Sequence, residues 1–372
     1  MARLPFREDL AGLKPYGAPQ LDVPVLLNVN ENPFAPSAEL VADIARRVSE
    51  AAKGLNRYPE RDAVELRGAL SEYLAEEFGV RLPWEQIWAA NGSNEIMLHI
   101  LQAFAGPGRV VASFLPSYSM YPEYARDTFS SWVAGKRNPD FSINLDEVNR
   151  VFNDYRPAVV LLASPNNPTG TALDSDELIA ILDASQGMGP RIGSEATSPI
   201  IVVDEAYGEF RREGVASALE LLDRYPNLIV SRTMSKAFGA AGLRLGYMAA
   251  SREIIDQIMV VRLPYHLSAV TQATALAALD HRSALKQQVQ LLREERDQLA
   301  TDLASLGLDT APSDANFVMF GTFDNRSAVW QGLLDRGVLI REVGPAGWLR
   351  VSVGTPEENQ RFMTALKEVL GR

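Results

Sequence analysis

Ser231-Arg232-Thr233-Met234-Ser235-Lys236-Ala237-Phe238-Gly239-Ala240-Ala241-Gly242-Leu243-Arg244-Leu245-Gly246 sets one lysine between small hydroxyl residues and a glycine-rich segment, with an arginine eight positions further on. A buried lysine beside a positive neighbour has a lowered pKa, so more of it is the neutral, nucleophilic amine. Hydroxyls and an arginine can hold a phosphate. An amine next to a phosphate cradle is what pyridoxal 5′-phosphate (PLP) requires, the amine forming a Schiff base and the cradle anchoring the tail. A Ser-Lys pair in isolation is most often a solvent-facing turn, so the rest of the chain has to decide.

Around this stretch, short apolar runs alternate with helical stretches: Ile87–Ala90, Val110–Phe114, Ala158–Ala163, Ile200–Val203, Leu228–Val230 and Leu245–Ala249. Runs of this length between helices predict buried strands of a largely parallel sheet, an α/β fold. Amphipathic helices are predicted over 38–53 and 62–78. Pro5, Pro15, Pro19 and Pro24 forbid a long helix in residues 1–30, which read as an arm. From Val270 the pattern changes: a long helix with Leu285, Val289, Leu292, Leu299 and Leu303 stops at Gly307. Short strands follow near Phe317–Phe320, Val338–Ile340 and Leu349–Val353, then a closing helix from Pro356, together a smaller α+β domain. The expected division is an arm over 1–30, a large domain over 31–265 and a small domain over 266–372. Residues 184–199, rich in Gly and Ser, read as an exposed, mobile loop without chemistry.

Length agrees with two domains, since 372 residues exceed one minimal core. The net charge of −11 makes nucleic acid and anionic membranes poor partners. Any anionic ligand must then be held by local arginines or helix N-termini. Cysteine is absent, which excludes disulfides, cysteine nucleophiles and thiolate metal sites and agrees with a cytoplasmic location. His99, His266 and His281 lack ligand spacing, so no metal is expected. The N-terminal residues have no apolar core of a signal peptide, and no apolar run approaches a membrane span.

Four further constellations carry chemistry. Asn91-Gly92-Ser93-Asn94-Glu95 joins a strand to a helix, where free N–H groups and the helix dipole favour a phosphate; ordinary N-capping by Ser93 or Asn94 is the plainer alternative. Ser164-Pro165-Asn166-Asn167-Pro168-Thr169-Gly170 is either a structural turn or a rigid frame that aims asparagine amides beyond a strand end, and such turns often contain a cis X–Pro bond. Asp204 directly follows an apolar strand, where a carboxylate is costly unless paired. Its partner is a protonated pyridine nitrogen, or it is a helix cap or buried ion pair, and Tyr207 can reach the same ligand. Arg350 interrupts an alternating apolar strand, facing either a cavity, as a fork for carboxylate or phosphate, or solvent. Tyr58 and Tyr118 lie beside prolines in loops and read by themselves as packing residues.

In order along the chain stand PYG at 15–17, LNVNENP at 27–33, RYP at 57–59, NGSNE at 91–95, PSYSMYP at 116–122, SPNNPTG at 164–170, DEAYGEF at 204–210, RTMSKAFGAAGLRLGY at 232–247, SDANFV at 313–318, LIRE at 339–342 and LRVSVGTPEEN at 349–359. Together, nearly end to end, they resemble the fold-type I PLP-dependent aminotransferases of class II, and within them the branch that acts on histidinol phosphate. The resemblance implies a large domain with a mostly parallel seven-stranded sheet between helices, plus a smaller α+β C-terminal domain.

It also implies roles. Lys236 would bind the cofactor and shuttle the proton between the substrate Cα and cofactor C4′. Asp204 would keep the pyridine nitrogen protonated, Tyr207 and Asn167 would hydrogen-bond the ring 3′-oxygen, and Tyr118 would stack on the ring. Ser93, Asn94, Thr233, Ser235 and Arg244 would hold the phosphate, with Tyr58 reaching it from the other subunit of a homodimer. Arg350 with Arg341 would bind the anionic end of the substrate, Asn316 would line the site, and Tyr16 and Asn32 would close over it. The implied reaction is transamination between L-histidinol phosphate and 2-oxoglutarate, giving imidazole-acetol phosphate and L-glutamate, in histidine biosynthesis. Two departures stand out: the phosphate loop has Ser93-Asn94 where many relatives have Ala-Asp, and the 184–199 segment is longer than usual. Rival readings on the same scaffold are an aromatic (phenylalanine or tyrosine) aminotransferase, a phosphothreonine-type decarboxylase and a PLP-binding regulator.

Overall fold

Seven strands form the main sheet: β1 (Ile87–Ala90), β2 (Val110–Leu115), β3 (Ser131–Lys136), β4 (Val159–Ala163), β5 (Ile200–Asp204), β6 (Leu228–Thr233) and β7 (Gly246–Ala250). The computed structural model describes residues 4–371, so the first three residues of the expected arm lie outside it. The strand order is β1-β7-β6-β5-β4-β2-β3, with only β7 antiparallel to its neighbours. Six of these strands coincide with the apolar runs. The edge strand β3 was not predicted: SWVAGK is apolar only at Trp132, Val133 and Ala134, and its exposed outer side needs no continuous apolar run.

Helices α1 (Ala38–Ala52), α2 (Val64–Phe78), α3 (Ser93–Phe104), α4 (Tyr121–Asp127), α5 (Leu145–Tyr155), α6 (Ser175–Ala184), α7 (Arg252–Val261) and α8 (Ala269–Asp280) surround the sheet. Strand side chains alternate between two cores. Ile87, Phe114, Leu162 and Val203 pack with Leu66, Leu70, Val151 and Ile181 of α2, α5 and α6. Trp88, Val111, Leu161 and Val202 pack with Ile96, Ile100, Tyr124 and Ile258 of α3, α4 and α7. Burial on both faces explains why the strands read as unbroken apolar runs.

The smaller C-terminal domain is built on strands β8 (Asp309–Thr310), β9 (Phe317–Gly321) and β10 (Leu349–Ser352), with helices α9 (Arg282–Ser305), α10 (Arg326–Leu334) and α11 (Pro356–Val369). The expected start at residue 266 differs from the packing. Ala275 and Leu279 of α8 and Leu285, Val289 and Leu292 of α9 belong to the large core, whereas Leu299 and Leu303 belong to the small one. Val338–Leu339 does not join the small sheet but pairs in parallel with Val25–Leu26 of the arm. Residues 184–199 also depart from expectation. Arg191–Ile192 and Glu195–Ala196 form an antiparallel pair, and the Arg156 guanidinium donates to the carbonyls of Gly187 and Gly189 at its base (2.5 and 2.9 Å), so the segment is a pinned hairpin.

β7 passes so close to the β1–α3 turn that a Cβ on Gly246 would lie 2.3 Å from the Ser93 nitrogen and 2.4 Å from the Gly92 carbonyl carbon. Both obstacles are backbone, which cannot swing aside. Gly246→Ala should therefore displace the N-terminus of α3 and destabilise the fold by about 2–4 kcal/mol, read as a lower midpoint in urea unfolding. An unchanged midpoint would mean that this contact relaxes freely.

Candidate active site

The C-terminal ends of β4, β5 and β6 open onto one cavity of about 820 Å³, where open α/β sheets place their ligands. Beyond β6 the chain turns over the strand ends. The Thr233 hydroxyl accepts from the Ser235 N–H (3.2 Å), and the Met234 N–H bonds the Leu245 carbonyl (3.0 Å). This turn delivers Lys236 to the cavity, where its Nζ donates to the Val29 carbonyl at 2.8 Å. Burial, with a smaller contribution from Arg350, lowers its pKa to about 8.

Asp204 closes β5. Its carboxylate accepts from Tyr121 Oη (3.2 Å), Ser231 Oγ (3.2 Å) and the Ala206 N–H (3.3 Å), with no cation among these partners. Burial raises its pKa to about 6 against the opposing effect of those hydrogen bonds. Neither the helix-cap nor the ion-pair alternative is realised. Three residues on, the Tyr207 hydroxyl accepts from Asn30 Nδ2 at 3.0 Å and Asn167 Nδ2 at 3.4 Å.

The two asparagines of the proline-framed turn divide the work. Asn166 is buried and holds the turn together through the Pro116 carbonyl, Thr169 and Ser117, whereas Asn167 lines the cavity. Both X–Pro bonds of the turn are cis. Asn167 Oδ1 accepts from Arg350 Nη1 at 2.5 Å, and Arg350 Nη2 donates to the Asn28 carbonyl at 2.8 Å. Arg350 therefore faces the cavity and not solvent, and its buried Nε has no partner. Arg341, paired to Arg350 through the backbone, also lines the cavity and makes no side-chain hydrogen bond or ion pair among the described residues.

The cavity is also lined by Ser93, Asn94, Thr233, Ser235 and Arg244. Gly92, not Ser93 or Asn94, is the cap of α3, and no side chain caps the helix. Its first N–H groups, which lack intrahelical partners, thus stay available for an anion. Gly92 has φ +84°, and a Cβ there would lie 2.8 Å from Arg244 Nη2, so the glycine lets the guanidinium approach this turn.

Tyr118 lines the cavity, and so does Tyr16, whose hydroxyl meets Ser119 Oγ at 2.8 Å. Two expectations fail. Asn32 is not among the residues lining the cavity and donates to the Ala237 carbonyl and Gln288 Oε1 (both 3.2 Å). Asn316 is fully buried behind the arm and donates to the Asn30 carbonyl at 3.1 Å, so it does not line the cavity either. Tyr58 is 80% exposed and stacks on Tyr265 at 4.5 Å, outside the cavity of its own chain. Residues missed from the sequence are Asn30, Tyr121, Ser231 and Trp132. Strand alternation could have found Ser231, two positions before Thr233, and Tyr121 lies in the PSYSMYP motif. Folding also brings His99 and His266 together edge to face, 5.8 Å apart, behind Trp88.

This donor set fits PLP. It offers an amine of lowered pKa, a carboxylate without a cation and a separate anion cradle, in one cavity.

The chain matches the model of the family described as aminotransferase class I and II over residues 23–366. It is 54% identical to a histidinol-phosphate aminotransferase of Bifidobacterium longum, over 99% of this chain and 97% of the relative. It is 55% identical to one of Thermobifida fusca, over 99% and 96%. Among solved structures, a histidinol-phosphate aminotransferase of Sinorhizobium meliloti in complex with pyridoxal-5′-phosphate shares the fold, with a TM-score of 0.81 and 24% identity over 94% of this chain and 91% of that one. A Thermus thermophilus aspartate aminotransferase double mutant superposes with a TM-score of 0.77 and 26% identity over 93% and 91%. The chain therefore belongs to the aminotransferase class I and II family.

Proposed function

We propose that this chain is a PLP-dependent histidinol-phosphate aminotransferase, transferring the amino group between L-histidinol phosphate and 2-oxoglutarate in histidine biosynthesis. The observation that carries the reading is the single cavity holding Lys236, the cation-free Asp204 and two arginines with open donors. The full-length identity to relatives of that name supports the choice of substrate. When bound, PLP supplies an electron-withdrawing ring that stabilises negative charge developing at the substrate Cα. Asp204 would hold the proton on the pyridine nitrogen, and Tyr207 and Asn167 would bond the 3′-oxygen. Tyr118, which lines the cavity, would pack on the ring. The α3 N-terminus with Ser93 and Asn94, together with Thr233, Ser235 and Arg244, would hold the phosphate. Lys236, neutral in part at physiological pH, would be the group that moves the proton at the substrate Cα. Arg350 and Arg341 bind the anionic end of either substrate, because a planar guanidinium suits carboxylate and phosphate alike. Tyr16 covers the substrate.

The reading extends to assembly and place. Exposed Tyr58, Val260 and Leu263 form part of a homodimer interface, through which Tyr58 reaches the phosphate of the other subunit. The domain junction lies within α9, after Leu292, in place of residue 266. No helix among the described residues is long and apolar enough to cross a membrane, and the enzyme works in the cytoplasm.

Three outcomes are expected. Stopped-flow mixing of the PLP-loaded protein with L-histidinol phosphate should bleach the cofactor's visible absorbance at least about tenfold faster than L-phenylalanine does, in line with discrimination by a buried charged site. The reverse order would make this an aromatic aminotransferase.

In the cofactor-free protein, about a tenth of the Lys236 amine should be neutral at pH 7, against about one in 3000 for an ordinary lysine. Acetic anhydride labelling of Lys236, followed by mass spectrometry, should therefore rise with pH through a midpoint near 8. A midpoint above 10 would show an ordinary amine.

Asp204, with its folded pKa raised to about 6, holds a proton that the unfolded chain releases near pH 4. Stability thus falls as pH rises between these values and stays lower above them. Asp204→Asn should stabilise the cofactor-free protein at pH 7 by up to about 3 kcal/mol, with no gain below pH 4, while weakening PLP binding. Equal melting temperatures at pH 7 would contradict this.

A further inference from the structure

Arg232, fully buried one residue before Thr233, has no part in the chemistry above. Strand alternation points it to the face of the sheet away from the cavity, while Ser231 and Thr233 serve the cavity side. There its Nη1 donates to Glu205 Oε2 at 2.5 Å and its Nη2 to Glu209 Oε1 at 2.9 Å, and the guanidinium lies 4.0 Å over the Phe78 ring. Both carboxylates are held again. Glu205 accepts from Ser217 Oγ and the Ala218 N–H (2.7 and 2.8 Å), with Arg211 3.7 Å away, and Glu209 accepts from Tyr73 Oη at 3.2 Å.

The two carboxylates flank Tyr207, and Glu205 directly follows Asp204. A Cβ on Gly208 would lie 2.7 Å from Arg232 Nη2, so the guanidinium packs against the backbone of this turn. One planar fork therefore grips, from behind, both ends of the turn that carries the two groups proposed to bond the cofactor ring.

We infer that Arg232 is a positioning residue: by bridging Glu205 and Glu209 behind the sheet, it sets where the Asp204 carboxylate and the Tyr207 hydroxyl stand in the cavity. The inference rests on the function proposed above. A lysine would keep the charge, but its single ammonium cannot span two carboxylates in the geometry of the fork. The bridge therefore acts through shape as well as charge.

The test compares wild type, Arg232→Lys and Gly208→Ala, each verified as folded by circular dichroism and thermal melting. Two quantities are read: the PLP dissociation constant of the cofactor-free protein, and the pH midpoint of the visible absorbance of the loaded protein. Arg232→Lys should raise the dissociation constant about tenfold and move the midpoint by about half a pH unit or more, with kcat falling about tenfold and KM changing less than about threefold, as expected for misplaced groups that still bind substrate. Gly208→Ala, which keeps every charged group but displaces the fork, should act in the same direction. Folded variants with the wild-type midpoint and dissociation constant would overturn the inference, and so would a failure of both variants to fold, since the role would then be structural alone. A wild-type protein with no titrating visible band would instead overturn the proposed function, and this inference with it.

Discussion

Lys236, Asp204 and Arg350 share one cavity, and none of them has an ion pair among the described residues. An unpaired ionisable group in such a place is costly, and a fold keeps it only when its surroundings are rigid enough to withstand the cost. Each of the three is instead held by neutral groups: a backbone carbonyl for Lys236, two hydroxyls and an N–H for Asp204, an amide oxygen and a carbonyl for Arg350. These partners orient the charges without neutralising them. The resulting shifts, Lys236 down to about 8 and Asp204 up to about 6, follow from burial and leave the groups ready for a charged ligand.

The opposite face of the sheet has the contrary arrangement. Arg232 and Glu205 are buried and Glu209 partly so, but here the arginine is paired with both carboxylates. Alternation along β5 and β6 assigns neighbouring residues to the two regimes: Asp204 and Ser231 to the open one, Glu205 and Arg232 to the paired one. A shift of register by one residue would exchange them and destroy both. The paired face is thus a counterweight to the unpaired one across a single layer of backbone.

Much of this was legible in the sequence, for physical reasons. Strands buried on both faces are continuous apolar runs, so six of the seven strands stood out, while the edge strand Ser131–Lys136, half exposed, did not. Lys236, Asp204, Tyr207, Asn167 and the Ser93 turn sit at strand ends or turns, where local sequence constrains the backbone, Arg350 interrupts the apolar run of β10, and all reach the cavity. What could not be read depends on tertiary register. In LNVNENP, nothing local distinguishes Asn30, which meets Tyr207, from Asn32, which turns toward α9. Asn316 looks as suitable as any asparagine until the arm is seen to lie between it and the cavity. The 184–199 segment has the composition of a loop, yet Arg156, 31 residues before Gly187 and 33 before Gly189, pins it as a hairpin.

The proposed function requires that the amine of Lys236, and of no other lysine, carry the cofactor. The direct measurement is borohydride reduction of the PLP-loaded protein, followed by peptide mass spectrometry. A stable pyridoxyl adduct is expected on the peptide containing Lys236 and on no other lysine peptide. An adduct on a different lysine, or a Lys236 peptide left unmodified in protein that has retained the cofactor, would contradict it.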